Sequence, residues 1–101
     1  MKFLVISKLK PSATGAEILK LAKAHANYLK RLKSEGKLER YYLIWASSRA
    51  LSGHAYCDVE VYEVESREEI DAFLKKSPIA PIADYEIMQV LTYDEPKSGK
   101  A

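Results

Sequence analysis

The chain has 101 residues, enough for one domain with a modest core. Sixteen basic residues against fourteen acidic ones leave a net charge of +2, too little for the electrostatic footprint of a nucleic-acid binder. A single cysteine excludes an intrachain disulfide, and no apolar run is long enough to span a membrane. The opening apolar stretch, Met1 to Ile6, is too short for a secretory signal core, so a cytoplasmic protein is expected.

Residues 2–9 carry Phe3, Leu4, Val5 and Ile6 in a row and predict a first strand buried on both faces. Pro11 to Gly15 is a turn. Thr14 and Glu17 have the spacing of a capping box, and a helix follows over 15–35. Its apolar stripe is Ile18, Leu21, Ala22, His25, Tyr28, Leu29 and Leu32. Gly36 stands where a helix takes the left-handed conformation to end. Lysines 20, 23, 30 and 33 fall on the opposite, solvated side.

Strands are predicted at 41–46 and 55–64. In the latter, Ala55, Cys57, Val59 and Val61 alternate with Tyr56, Asp58, Glu60 and Tyr62. Ser66 and Glu69 suggest a second capping box, opening a helix over 67–76 that carries Ile70, Phe73 and Leu74 on one face. Pro78 stops that helix and Pro81 stiffens the connection. A last strand is expected at 85–93. Residues 1–95 form one domain, and 96–101 read as a flexible tail.

The order β-α-β-β-α-β is the ferredoxin-like α+β plan. Two helices cover one face of a four-stranded sheet. The second strand is apolar or aromatic on both faces, so the bare face is expected to pack on another copy, making a dimeric α+β barrel and a homodimer or higher homo-oligomer.

The run Ser66-x-Glu68, Ile70, Leu74, Pro78-Ile79-x-Pro81, Asp84-x-Glu86-Ile87, together with Arg31-Leu32-x-x-Glu35-Gly36 upstream, resembles the muconolactone isomerase family. The resemblance implies the dimeric barrel fold and a cofactor-free double-bond shift in a small lactone-like or enolisable compound. On the second strand the family pattern has Trp-Arg followed shortly by Gly. This chain has Tyr42-Leu43-Ile44-Trp45-Ala46, without the arginine that would anchor a carboxylate, and its following loop, 47–54, is longer.

Among chemistry-bearing residues, no nucleotide loop or nucleophile elbow appears. His25 and His54 are too few and too isolated to point to a metal. No metal and no cofactor are therefore expected, and the partner is a small molecule. His25 lies in the apolar stripe between Leu21 and Leu29 and faces the sheet. It is either a hydrogen-bonded core histidine or the acid–base group of the reaction. The resemblance implies an ionisable group at that position. Tyr28, Tyr42 and Trp45, with Tyr41, are candidates for shaping a substrate pocket. Asp58 is a candidate if its strand face is enclosed. Two other functions fit the same fold: a cofactor-independent monooxygenase or cyclase, and a non-catalytic oligomeric small-molecule-binding protein.

Overall fold

A computed structural model of the chain describes residues 1–44 and 55–91. The elements run β1 (Lys2–Leu9), α1 (Gly15–Ser34), β2 (Leu38–Leu43), β3 (Ala55–Glu63), α2 (Arg67–Lys75), a short 3₁₀ turn (Ala80–Ile82) and β4 (Ala83–Val90). The four strands form one antiparallel sheet in the order β2-β3-β1-β4. This is the ferredoxin-like arrangement expected from the sequence. Among the described residues no helix is long and apolar enough to cross a membrane.

The ends of α1 follow from local chemistry. The Thr14 hydroxyl accepts from the Glu17 N–H at 3.2 Å, and the Glu17 carboxylate accepts from the Thr14 N–H at 2.9 Å. At the other end Gly36 sits at φ +78°. Two closing bonds, Gly36 N–H to the Lys33 carbonyl and Lys37 N–H to the Leu32 carbonyl, complete a Schellman motif. The chain leaves that motif already extended, so β2 begins at Leu38 rather than at Tyr41. Leu38 is 1% exposed and anchors the strand under α1.

Helix α2 departs from its expected box. Ser66 caps the Glu69 N–H at 3.2 Å, but the Glu69 carboxylate accepts from the Glu65 N–H instead of closing back on Ser66. Glu69 also pairs with Lys37 at 2.9 Å, which ties the start of α2 to the end of α1. Beyond α2, Pro81 opens the 3₁₀ turn, and β4 starts two residues earlier than expected because Ala83 pairs with Leu9 at the end of β1.

The helices cover one face of the sheet. Phe3, Val5, Leu29, Leu32, Tyr62, Ile70 and Leu74 form the main core beneath them. The other face carries two cross-strand rows. Arg40, Val61, Leu4 and Met88 make one, and Tyr42, Val59, Ile6 and Glu86 the other. Leu4, Ile6, Val59 and Val61 are half-buried, and Tyr42 and Met88 are exposed.

In β3 the face assignment runs against the usual patterning. The carboxyl row of Asp58 and Glu60, with Tyr62, points under the helices, and the aliphatic row of Val59 and Val61 is on the open face. Tyr62 is 1% exposed in this chain's own core, stacked near Phe73.

Candidate functional site

Between α1 and the sheet lies a cavity of about 310 Å³. Its walls are Ile18, Ala22 and Leu29 of α1, Leu9 of β1, and Ile79 and Ile82 from the segment before β4. Such a cavity is roughly twice the size of one that holds benzene. His25, Tyr41, Cys57 and Asp58 also line this largely apolar cavity.

A β-bulge places two of these side chains. Ser7 pairs with Asp58 and Lys8 with Tyr56, leaving Cys57 as the extra residue on β3. A bulge breaks strict alternation and re-aims side chains. Here both Cys57 and Asp58 reach the cavity, though neighbours in a regular strand would point to opposite faces.

His25 is 8% exposed and Asp58 4%. His25 Nε2 lies 2.7 Å from Asp58 Oδ2 and 3.9 Å from Glu60 Oε2, and Nδ1 lies 3.4 Å from the Ser77 hydroxyl. In the neutral ring, the tautomer that fits these partners has Nε2–H donating to the Asp58 carboxylate and Nδ1 accepting from Ser77. Burial works against charge on Asp58, but the hydrogen bond and charge of His25, with contributions from the neighbouring Glu60 and Ser7 side chains, outweigh it and hold the carboxyl below the usual aspartate range.

Glu60 is the deeper carboxyl, 1% exposed. Tyr62 donates to its Oε1 at 2.5 Å and Ser7 to its Oε2 at 3.4 Å. Burial, followed by the hydrogen bond and charge of Asp58, pushes it well above the glutamate range. Burial and the Asp58 charge push the Cys57 thiol up to about 12, which makes it an inert hydrogen-bond donor, 3.7 Å from Asp58 Oδ2. The donor atoms of His25, Cys57 and Asp58 lie within 4.8 Å of one another. Three ligand types suited to a transition metal thus stand together, but in this arrangement they are engaged with each other and the thiol is protonated.

Of the residues singled out from the sequence, His25 and Tyr41 line the cavity. Tyr28 does not: its hydroxyl donates to the Phe73 carbonyl at 2.7 Å, and its ring belongs to the core. Tyr42 pairs opposite Val59 and is 53% exposed on the open face of the sheet, one residue out of phase with the cavity. Of Tyr28, Tyr41 and Tyr42, it is Tyr41 that lines the cavity. Trp45, the loop 47–54 and the tail 96–101 lie outside the described residues. Glu60 was not singled out at all. The signal that could have found it is the carboxyl pair at i, i+2 on one strand face, sharing that face with Tyr62.

Comparison with known proteins agrees with the fold. No curated protein sequence matches the chain. Among solved structures, 5-chloro-2-hydroxyhydroquinone dehydrochlorinase from Burkholderia phenoliruptrix, in complex with 2,5-dihydroxybenzoquinone, superposes with a TM-score of 0.67. It is 22% identical, over 90% of this chain and 94% of that one. A crystal structure of muconolactone isomerase also gives 0.67 at 22% identity, covering 100% of both chains. The sequence profile described as muconolactone delta-isomerase matches residues 1–95. That match takes in every described strand and helix, and with them the cavity that holds His25 and Asp58: the chain belongs to the muconolactone delta-isomerase family.

Proposed function

We propose that the protein is an intramolecular isomerase that moves a proton, and with it a double bond, within a small lactone-like or enolisable molecule. The observation that carries this reading is the His25–Asp58 pair, 2.7 Å apart, set in the wall of an otherwise apolar cavity. An acid–base group inside an apolar enclosure is what a carbon acid needs. The base is poorly solvated, and water does not compete for the proton.

In this mechanism His25 Nδ1 takes a proton from the carbon next to the substrate carbonyl, and the electron pair of that C–H bond becomes the enolate. The Asp58 carboxylate steadies the imidazolium through Nε2–H, as the acid of a His–Asp pair does elsewhere. The same proton then returns to the carbon at the far end of the conjugated system. Nothing is oxidised or reduced. Tyr41 packs against the ring. The Ser77 hydroxyl, 3.4 Å from Nδ1, turns aside or passes the proton on.

The test is turnover on a panel of unsaturated lactones and enolisable ring ketones in deuterated water. His25→Gln should lower the rate by about 10²–10⁴-fold, the usual range for a general base. Full activity in that variant removes His25 from the mechanism. One structural neighbour binds a dihydroxybenzoquinone, so quinols belong on the panel. Oxygen uptake with a quinol would favour the monooxygenase alternative.

The isomerase is also proposed to be at least a dimer. Leu4, Ile6, Val59, Val61, Tyr42 and Met88 give the open sheet face an apolar centre with Arg40 and Glu86 at its margins.

A further inference from the structure

Asp58 Oδ1 is buried and finds no hydrogen-bond partner among the described residues. An ionised carboxylate oxygen left in that state is costly, so a donor is to be sought among its neighbours. Glu60 is two residues along the same strand and on the same face, under the same helix. Its own oxygens already receive Tyr62 and Ser7. Within ion-pair distance of it, among the described residues, stands His25, at 3.9 Å.

We propose that Asp58 and Glu60 hold one proton between them, that it resides on Glu60 and is donated to Asp58 Oδ1, and that Glu60 is thereby the positioning residue that keeps Asp58 anionic beneath His25. Both oxygens of Asp58 and both of Glu60 are then satisfied. Tyr62 donates to one Glu60 oxygen, and the other donates to Asp58. Asp58 Oδ2 receives the His25 N–H. The strong upward displacement of Glu60, and the downward displacement of Asp58, follow from the same arrangement.

The groups that bear on this proton come from every surrounding element. They are His25 and Tyr28 of α1, Ser7 of β1, Cys57, Asp58 and Tyr62 of β3, and Tyr85 of β4. Of these, Asp58 is the neighbour whose charge forbids Glu60 its own. Two adjacent carboxyls commonly divide one proton in this way. Here the inner one is walled off from the cavity and does not touch substrate.

The location of the proton stands apart from the isomerase reading; only its catalytic consequence rests on it. The test therefore needs no substrate. Infrared spectra of the whole protein at neutral pH, with carbon-13 in glutamate or in aspartate carboxyls, should show the carbonyl stretch of one protonated carboxylic acid. It should move with the glutamate label and vanish in Glu60→Gln. Absence of the band, or a band that follows the aspartate label, overturns the assignment. Labelled wild-type protein suffices if the variant does not fold.

Carbon-13 NMR of the Asp58 carboxyl tests the positioning role. Glu60→Gln keeps an N–H donor and should leave the Asp58 titration where it is. Glu60→Leu removes the donor and should raise its midpoint by about one to two units. An Asp58 midpoint that ignores both substitutions, or moves equally in both, removes the positioning role. If the infrared band is found but His25→Gln turns over lactones normally, the shared proton stands and the isomerase mechanism falls.

Discussion

A single residue row decides what this site can do. In β3, aliphatic and polar residues alternate cleanly, and the usual rule sends the aliphatic row inward. The structure sends Asp58 and Glu60 inward. Period-two alternation specifies two faces but not which is covered, so the sequence shows His25 through its helical spacing yet leaves Asp58 conditional and Glu60 unseen. The inward carboxyls also give the protein a distinctive dependence on pH. Glu60 is raised in the folded chain, so between the ordinary glutamate range and its folded value the native state binds more protons than the unfolded one. Stability should therefore fall as pH rises through that window, by up to about 1.4 kcal/mol per pH unit. Asp58 is lowered, and contributes stability that is present above the ordinary aspartate range and lost as pH falls through its folded value. Denaturant titrations from acid to mildly alkaline pH should show stability descending on the side above the ordinary glutamate range in wild type. Glu60→Gln should flatten that side while leaving the acid side in place. A slope unchanged by the substitution would assign the effect to other groups.

At the level of elements, what was legible was what local chemistry dictates. Helix α1 runs close to its expected span because both of its ends are set by adjacent residues: a reciprocal box at Thr14 and Glu17, and a left-handed glycine at position 36. Strand β2 was placed late because Leu38-Glu39-Arg40 has no alternation of its own, and the burial of Leu38 depends on α1 lying above it. Nothing lies within 4 Å of where a Gly36 β-carbon would sit, so Gly36→Ala isolates the backbone cost of φ +78°. It should destabilise by about 1–2 kcal/mol. Thr14→Ala removes the cap of the same helix and should cost about 1 kcal/mol. Leu38→Ala opens a buried void and should cost about 2–5 kcal/mol. Chemical denaturation that ranks Leu38→Ala below the two helix-end variants would show that β2 is held by its ladder rather than by this anchor.

For the whole molecule, the reversed polarity of β3 links the site to assembly. Carboxyls that a solvent-facing row would normally carry are spent inside the fold. The aliphatic residues that would normally be spent inside are left at the surface. Val59 and Val61 pair with Ile6 and Leu4 across β1, and Leu4 pairs in turn with Met88. The result is a continuous apolar band on a sheet face that no helix among the described residues covers. Bands of this kind on soluble proteins mark interaction surfaces, and a second copy of the same sheet offers a match without further adaptation. The expected assembly is face to face, burying about 800 Å² per partner if it is of standard size. Light scattering should give at least twice the chain mass at micromolar concentration. Val61→Lys, at the centre of the band, should shift the protein toward monomer. Circular dichroism should stay close to wild type, since Val61 is already half-exposed within one chain. The cavity lies on the other side of the sheet, with His25 and Asp58 both supplied by one protomer. The Val61→Lys monomer should therefore still bind small apolar ligands, with affinity within a few-fold of the assembled protein. A stable wild-type monomer would refute the assembly, and a Val61→Lys protein that stays associated would place the interface elsewhere.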